Sequence, residues 1–283
     1  MIDPSELIID DSNWQEHTVA PIIDGQQMAF GAVPRDYSRH PVGSYGTIEP
    51  FAIPLIPRKD WSRRIRDMEQ SQSRLSDLRM IGNGGNPIPS TNQGNRGYCW
   101  AHSPVSAALL DRARDNQPYA PLSAYAIACK VKNYRDQGGW NPQAVEFLIK
   151  TGCPTSATWG QQSVNPANDN ARTWQEASRY KLTEGFMDLS PPIYDRNLTF
   201  DQLMTCLLLR IPCPVDLMWW RHSVCAADPV EFDASLALSD INRWGVRIWN
   251  SWSDAWGTLG MGVLRGSKAV PDGATACKVM TLH

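Results

Sequence analysis

The chain has 283 residues, 42% of them hydrophobic and 20% charged, with 27 Lys and Arg against 29 Asp and Glu and a formal net charge of -2. That length allows one large domain or two modest ones with a substantial core, and the charge balance calls for neither nucleic acid nor an anionic membrane. No apolar run reaches the roughly 20 residues of a membrane helix, because Arg210 interrupts the best candidate around Leu207 to Ile211.

The start, Met1-Ile2-Asp3-Pro4-Ser5-Glu6, is acidic and lacks the basic and apolar regions of a signal peptide, so a cytoplasmic protein is expected. Residues 1 to about 58 carry prolines at 4, 21, 34, 41, 50, 54 and 57 and little helical periodicity. They read as an extended arm whose apolar residues, Ile22, Ile23, Met28, Phe30, Phe51, Ile53, Leu55 and Ile56, are too dispersed for a separate core. The arm must pack on its own lobes, covering the cleft, or on a partner protein or second copy of the chain. The partner is the expectation.

Residues 60 to 79 read as a helix capped by Asp60, with Ile65, Met68, Leu75 and Leu78 as its apolar stripe and Gly82, Gly84 and Gly85 to stop it. Its cations Arg58, Lys59, Arg63, Arg64 and Arg66 alternate with Asp60 and Asp67, the pattern of a solvated face. A loop rich in Gly, Asn and Pro, Asn83 to Gly97, delivers Cys99 to a helix of about Cys99 to Arg114, with Trp100, Val105, Ala108 and Leu109 facing inward. Further helices are expected at Leu122 to Tyr134, at Pro142 to Lys150 with Asn141 as cap, near Thr173 to Tyr180, and from a capping box at Thr199-Phe200-Asp201-Gln202 to Leu209. From Cys213 the pattern changes to strand: Val215 to Leu217, His222 to Val230, Trp244 to Trp249 and Gly262 to Leu264. A helical half of about 86–152 thus meets a sheet half of about 181–283, with a cleft expected between them.

Seven cysteines (99, 129, 153, 206, 213, 225, 277) have no regular spacing, and no close pair or His cluster suggests zinc. Most are expected to be reduced and buried. Cys99 differs, because a helix start favours a thiolate through its unpaired N–H groups and positive dipole end. A thiol nucleophile also needs an imidazole to take its proton and a third group to orient that imidazole. The five histidines are 17, 40, 102, 222 and 283. His222 lies on a strand, and His102, one helical turn from Cys99, is its competitor.

Three stretches read together: Asn92-Gln93-Gly94-Asn95-Arg96-Gly97-Tyr98-Cys99-Trp100, Trp220-Arg221-His222-Ser223-Val224 and Trp249-Asn250-Ser251-Trp252. In order and character they resemble the papain-like cysteine peptidases, over about residues 86 to 266. The resemblance implies an α+β, two-lobed fold with a helical lobe, an antiparallel sheet lobe and, here, the N-terminal arm in front. It implies Cys99 as nucleophile, His222 as base, Asn250 orienting His222, and Gln93 donating its amide to the oxyanion beside the Cys99 N–H. Trp252 would cover the His222–Asn250 bond with Trp256 beside it, and Gly138-Gly139 would pair with an extended substrate. No metal or organic cofactor is implied, and the partner is a peptide or protein substrate.

The departures from that pattern are several. Arg96 stands where extracellular members carry a cysteine, and the matching cysteine near Gly138 is absent. Tyr98 is bulkier than the usual neighbour of the nucleophile and is expected to narrow the cleft. Only Met218 to Arg221 join the two central strands, Arg221 stands where the family is often acidic or small, and no propeptide motif is visible. Deubiquitinase-like, transglutaminase-like or amidase chemistry would use the same triad. A second reading is a bacterial or bacteriophage protein that keeps the fold as a structural or assembly component of the virion.

Overall fold

The computed structural model describes residues 6–45, 48–182, 186–277 and 280–281; the first five residues of the arm and His283 lie outside them. The strands are β1 Ile8–Ile9, β2 Ile22–Ile23, β3 Gln26–Gln27, β4 Ile48–Pro50, β5 Lys181–Leu182, β6 Phe186–Asp188, β7 Cys213–Leu217, β8 His222–Glu231, β9 Trp244–Trp249, β10 Met261–Arg265, β11 Gly273–Ala276 and β12 Met280–Thr281. The helices are α1 Arg58–Gln70, α2 Leu75–Ile81, α3 Cys99–Arg114, α4 Ala124–Val131, α5 Asn141–Lys150, α6 Ala171–Ala177 and α7 Arg196–Leu208. Eight strands form one sheet in the order β1, β10, β9, β8, β7, β11, β6, β4, and β7 to β10 are antiparallel neighbours. This is the expected α+β architecture.

The apolar residues divide into two cores. One surrounds α3, α4 and α5; the other lies among α1, α7, the sheet and the arm. α3 packs on β7 and β8 and connects the two. Its small residues let neighbours approach from every side, so all positions from Cys99 to Ala113 are buried, well beyond the single inward face that its apolar spacing suggests.

Several element ends differ from the sequence pattern, each for a contact distant in the chain. The helix expected over 60–79 is two. α1 stops at Gln70, Gln72 takes a positive φ of 50°, and α2 restarts where the buried Asp228 carboxylate accepts from the Leu75 and Ser76 amides at 2.8 and 3.3 Å. Pro57, not Asp60, holds the cap position of α1. Asn141 is the first residue of α5 and not its cap, and its amide donates to Asp216 at 3.1 Å. α7 begins before Thr199, because Asp195 accepts from the Asn197 and Leu198 amides at 2.9 and 3.1 Å.

The described part of the arm is folded onto its own chain. β1 pairs in parallel with β10 and β4 with β6, at the two outer edges of the sheet, where a strand is paired on one side and prolines are tolerated. Ile9, Met28 and Ile56 are buried, with Ile23, Phe30, Phe51 and Ile53 packed against the same core; Ile22 and Leu55 are exposed. Arg35, 6% exposed, makes a bidentate ion pair with Asp188 of β6 at 3.0 and 2.9 Å.

Candidate active site

Three elements carry the candidate residues. The loop before α3 is held so that Cys99 begins the helix with its side chain toward β8, within hydrogen-bonding reach of the Ser223 amide and hydroxyl. His222 precedes Ser223 and opens β8. Asn250 follows the last residue of β9, and its amide is fixed by the Gly260 carbonyl at 2.8 Å. All three side chains are fully buried.

The imidazole orientation follows from its partners. Asn250 Oδ1 accepts from the Ser251 N–H at 2.7 Å and lies 2.7 Å from His222 Nε2. Because that oxygen only accepts, Nε2 carries the proton. Nδ1 has no hydrogen-bond partner and is left as an acceptor. Trp252 stacks on the ring at 4.4 Å and 29°, with Trp220 on another side at 5.0 Å and Trp256 against Trp252 at 6.3 Å. His102 is placed differently. Its Nδ1 pairs with Thr91 Oγ1 at 2.9 Å, its ring meets Tyr125 edge-on at 5.7 Å, and burial lowers its pKa to about 3.

Gln93 is locked from both ends. Its Oε1 accepts from Ser251 Oγ at 2.7 Å and its backbone N–H donates to the Ser251 carbonyl at 2.9 Å, which ties it to the residue beside Asn250. Its Nε2 donates to the Arg96 carbonyl at 2.8 Å and, at 2.9 Å, to the carbonyl of Ala29 in the arm. Tyr98 does not narrow the cleft. It is fully buried in the helical half, with its hydroxyl on the Arg135 carbonyl at 3.0 Å and its ring on Tyr125. Where the resemblance leaves no disulfide, the Gly97 N–H donates to Asp136 at 2.9 Å and joins the two loops.

The arm crosses this site. Gly31 and Ala32 donate their amides to the Arg221 carbonyl at 3.1 and 3.0 Å. Gly139 donates to the Gly31 carbonyl at 2.9 Å and accepts from the Val33 amide at 3.0 Å, so the expected backbone-pairing glycine is engaged, and by the arm. Arg221 has φ +53°, in the turn that joins β7 to β8, and its guanidinium lies 5.2 Å from the Phe30 ring, which in turn meets His222 at 6.1 Å and Trp252 at 5.8 Å. The approach is closest at Gly31, where a Cβ would lie 2.1 Å from the Gly97 carbonyl oxygen. At Gly138 a Cβ would lie 2.6 Å from the Gly31 carbonyl oxygen.

Exclusion of water sets the charge state. Burial is the largest influence on the Cys99 thiol and pushes it up to about 12, against the lowering by the Ser223 and Trp100 hydrogen bonds. Burial likewise lowers His222 to about 4, although its bond to Asn250 raises it. With the arm seated the pair is a neutral thiol and a neutral imidazole. This direction opposes the thiolate that a helix start favours, because burial is the largest influence on the thiol.

Sequence reasoning missed Gly31, Ser251 and Asp216. Asp216 is 4% exposed, accepts from the Asn141 amide and from the Ser223 hydroxyl, and burial pushes its carboxyl up to about 7. A charged residue in the otherwise apolar run Cys213–Leu217 was the available signal. Among the described residues no group of three or more His, Cys, Asp or Glu is placed to hold a metal ion, and no helix is long and apolar enough to cross a membrane.

No family model matches the chain. Cathepsin B-like CP2 of Giardia intestinalis is 25% identical over 190 residues, covering 60% of this chain and 61% of that protein, so the match spans under two thirds of that relative. Among solved structures, xylellain, a cysteine protease from Xylella fastidiosa, is similar with a TM-score of 0.56 and 16% identity over 90% of this chain and 97% of its own. A structure concerning the mite allergens Blo t 1 and Der p 1 gives a TM-score of 0.56 and 16% identity over 95% and 82%. The chain has the papain-like cysteine protease fold.

Proposed function

We propose that the protein is a cysteine peptidase that cleaves peptide bonds through Cys99, His222 and Asn250, with its cleft covered by its own arm. The observation that carries the reading is the His222 ring: Nε2 held by Asn250 at 2.7 Å, Nδ1 without a partner, and the neighbouring Ser223 in contact with Cys99. In the reaction His222 Nδ1 takes the Cys99 thiol proton as sulfur attacks the substrate carbonyl, then gives it to the departing amine. The acyl-enzyme is hydrolysed by a water that His222 deprotonates in turn. Asn250 keeps the tautomer, and Gln93 Nε2 with the Cys99 N–H receives the oxyanion. The Ala29 carbonyl on Gln93 Nε2 supports the last role, since a peptide carbonyl already rests on that donor.

The assembly-protein reading drew part of its support from an arm that needs a surface to pack on. The arm's contacts with Arg221, Gly139, Gln93 and Asp188 remove that need and favour a self-covering enzyme. The test is hydrolysis of a mixed pool of peptides by the full-length chain, with Cys99→Ala as control. Hydrolysis that Cys99→Ala abolishes is expected. Equal hydrolysis by both, or none by either after the arm is unseated, would contradict the reading.

A further inference from the structure

Ser223 touches the nucleophile and is tied to a carboxyl group that the proposed reaction does not use. β7 and β8 pair with Asp216 directly opposite Ser223, so the two side chains are cross-strand neighbours on one face of the sheet. The Ser223 amide and hydroxyl are within hydrogen-bonding reach of the Cys99 thiol, and the same hydroxyl donates to Asp216 Oδ1. Cys99 and Ser223 are fully buried and Asp216 is 4% exposed, so this row of thiol, hydroxyl and carboxyl is shielded from water.

The direction of the row depends on one proton. Asp216 Oδ2 accepts from the Asn141 N–H at 3.1 Å, and that donor cannot reverse. A proton on Asp216 therefore sits on Oδ1, the oxygen that faces Ser223. With Asp216 ionised, the Ser223 hydroxyl spends its hydrogen on the carboxylate and presents a lone pair to sulfur, where it can accept from a thiol but cannot donate to a thiolate. With Asp216 protonated, Oδ1–H donates to Ser223 Oγ and the hydroxyl hydrogen is free to turn to sulfur. There it joins the Ser223 amide as a second donor to the thiolate. Charge acts in the same sense, because after burial, the largest influence, the Asp216 charge also raises the Cys99 thiol.

The surroundings of Asp216 leave it able to hold that proton. Burial is the largest influence and pushes it up to about 7, with Asp272 raising it too, against lowering by the Ser223 and Asn141 hydrogen bonds and by Arg35 of the arm. The other titratable groups that interact with it are Cys99 on α3 and Tyr37 on the arm; α7 brings Cys206 to Cys213, at the start of β7. Lifting the arm removes the lowering by Arg35 while admitting water, two opposed influences.

Resting on the peptidase reading, we infer that Ser223 and Asp216 are a positioning pair for the nucleophile: protonated Asp216 turns the Ser223 hydroxyl onto Cys99 and supports the thiolate, and ionised Asp216 turns it away. The switch takes up one proton from water at Asp216 and forms no bond to sulfur.

The test is the pH profile of iodoacetamide alkylation at Cys99, from about pH 5 to about 9, in the full-length Gly31→Val chain, with hydrolysis of a mixed peptide pool followed alongside. The alkylation rate is expected to fall severalfold as pH rises through the Asp216 titration near neutrality, before ordinary thiol ionisation lifts it again. Asp216→Asn places an amide Nδ2 donor against Ser223 and keeps an oxygen for the Asn141 N–H, as protonated Asp216 does. It is expected to abolish the fall, so that above neutrality it reacts severalfold faster than its parent. Ser223→Ala, made in case Asp216→Asn does not fold, is expected to lower the acid-side rate severalfold and to flatten the fall. A flat parent profile, a fall that Asp216→Asn or Ser223→Ala leaves intact, or an Asp216→Asn chain slower than its parent at every pH overturns the positioning pair. Absence of peptide hydrolysis by a Gly31→Val chain whose Cys99 shows the expected profile overturns the peptidase reading and leaves the pair standing.

Discussion

Full-length Gly31→Val is expected to react with iodoacetamide at Cys99 roughly tenfold or more faster than the wild-type chain, and to gain peptide hydrolysis in step. A Cβ on residue 31 would lie 2.1 Å from the Gly97 carbonyl oxygen and 2.3 Å from its carbon, and both are backbone atoms with nowhere to move. Overpacking of this kind costs about 1–3 kcal/mol, and each ~1.4 kcal/mol shifts an equilibrium tenfold, so the seated arm gives way. The pH dependence changes with it. In the wild-type chain the thiol at about 12 and the imidazole at about 4 keep the pair neutral between those values, so alkylation is slow near pH 6 and rises with pH. With water admitted, the desolvation that produced both shifts is relieved, and the helix end and imidazole favour the ion pair, so the variant reacts well below the ordinary thiol range. A soluble, folded variant with unchanged rates would show that the arm does not limit access.

The second large effect concerns the base. In the unseated background His222→Ala should lower kcat on the order of 10⁴-fold or more, the scale seen when a triad base is removed. Asn250→Ala should cost less, since an uncharged amide fixes the ring and its tautomer without adding a charge to stabilise imidazolium. His102→Ala should leave kcat within a few fold, because that ring is spent on Thr91 and Tyr125. Loss of kcat in His102→Ala matching that in His222→Ala would reassign the base.

These effects involve residues that were unequally legible. Cys99 at a helix start, His222 on a strand and Asn250 after one are local patterns, and α3 and β7 to β10 follow from periodicity close to their observed ends. The break after Gln70 was not legible, because it is made by Asp228, far along the chain, capturing the Leu75 and Ser76 amides. The path of the arm was not legible for a related reason. It is held by backbone bonds to Arg221 and Gly139 and by the absence of a side chain at Gly31, none of which leaves a periodic signature. Its described residues form a short 3-10 helix at Trp14–Thr18, the β2–β3 hairpin and the edge strands β1 and β4, positions where prolines nearby are tolerated. The burial that opposes a thiolate at Cys99 was not legible either, because a helix end is a local feature whereas desolvation depends on the arm folded over the site.

The most direct measurement is the site and rate of modification by a peptidyl vinyl sulfone, read by mass spectrometry on the intact Gly31→Val chain and on the same chain with His222→Ala. A single adduct on Cys99, with the other six cysteines unmodified and the rate collapsing when His222 is removed, is the predicted result. Adducts spread over several cysteines, or a Cys99 rate indifferent to His222→Ala, would contradict the assignment of this nucleophile and its base.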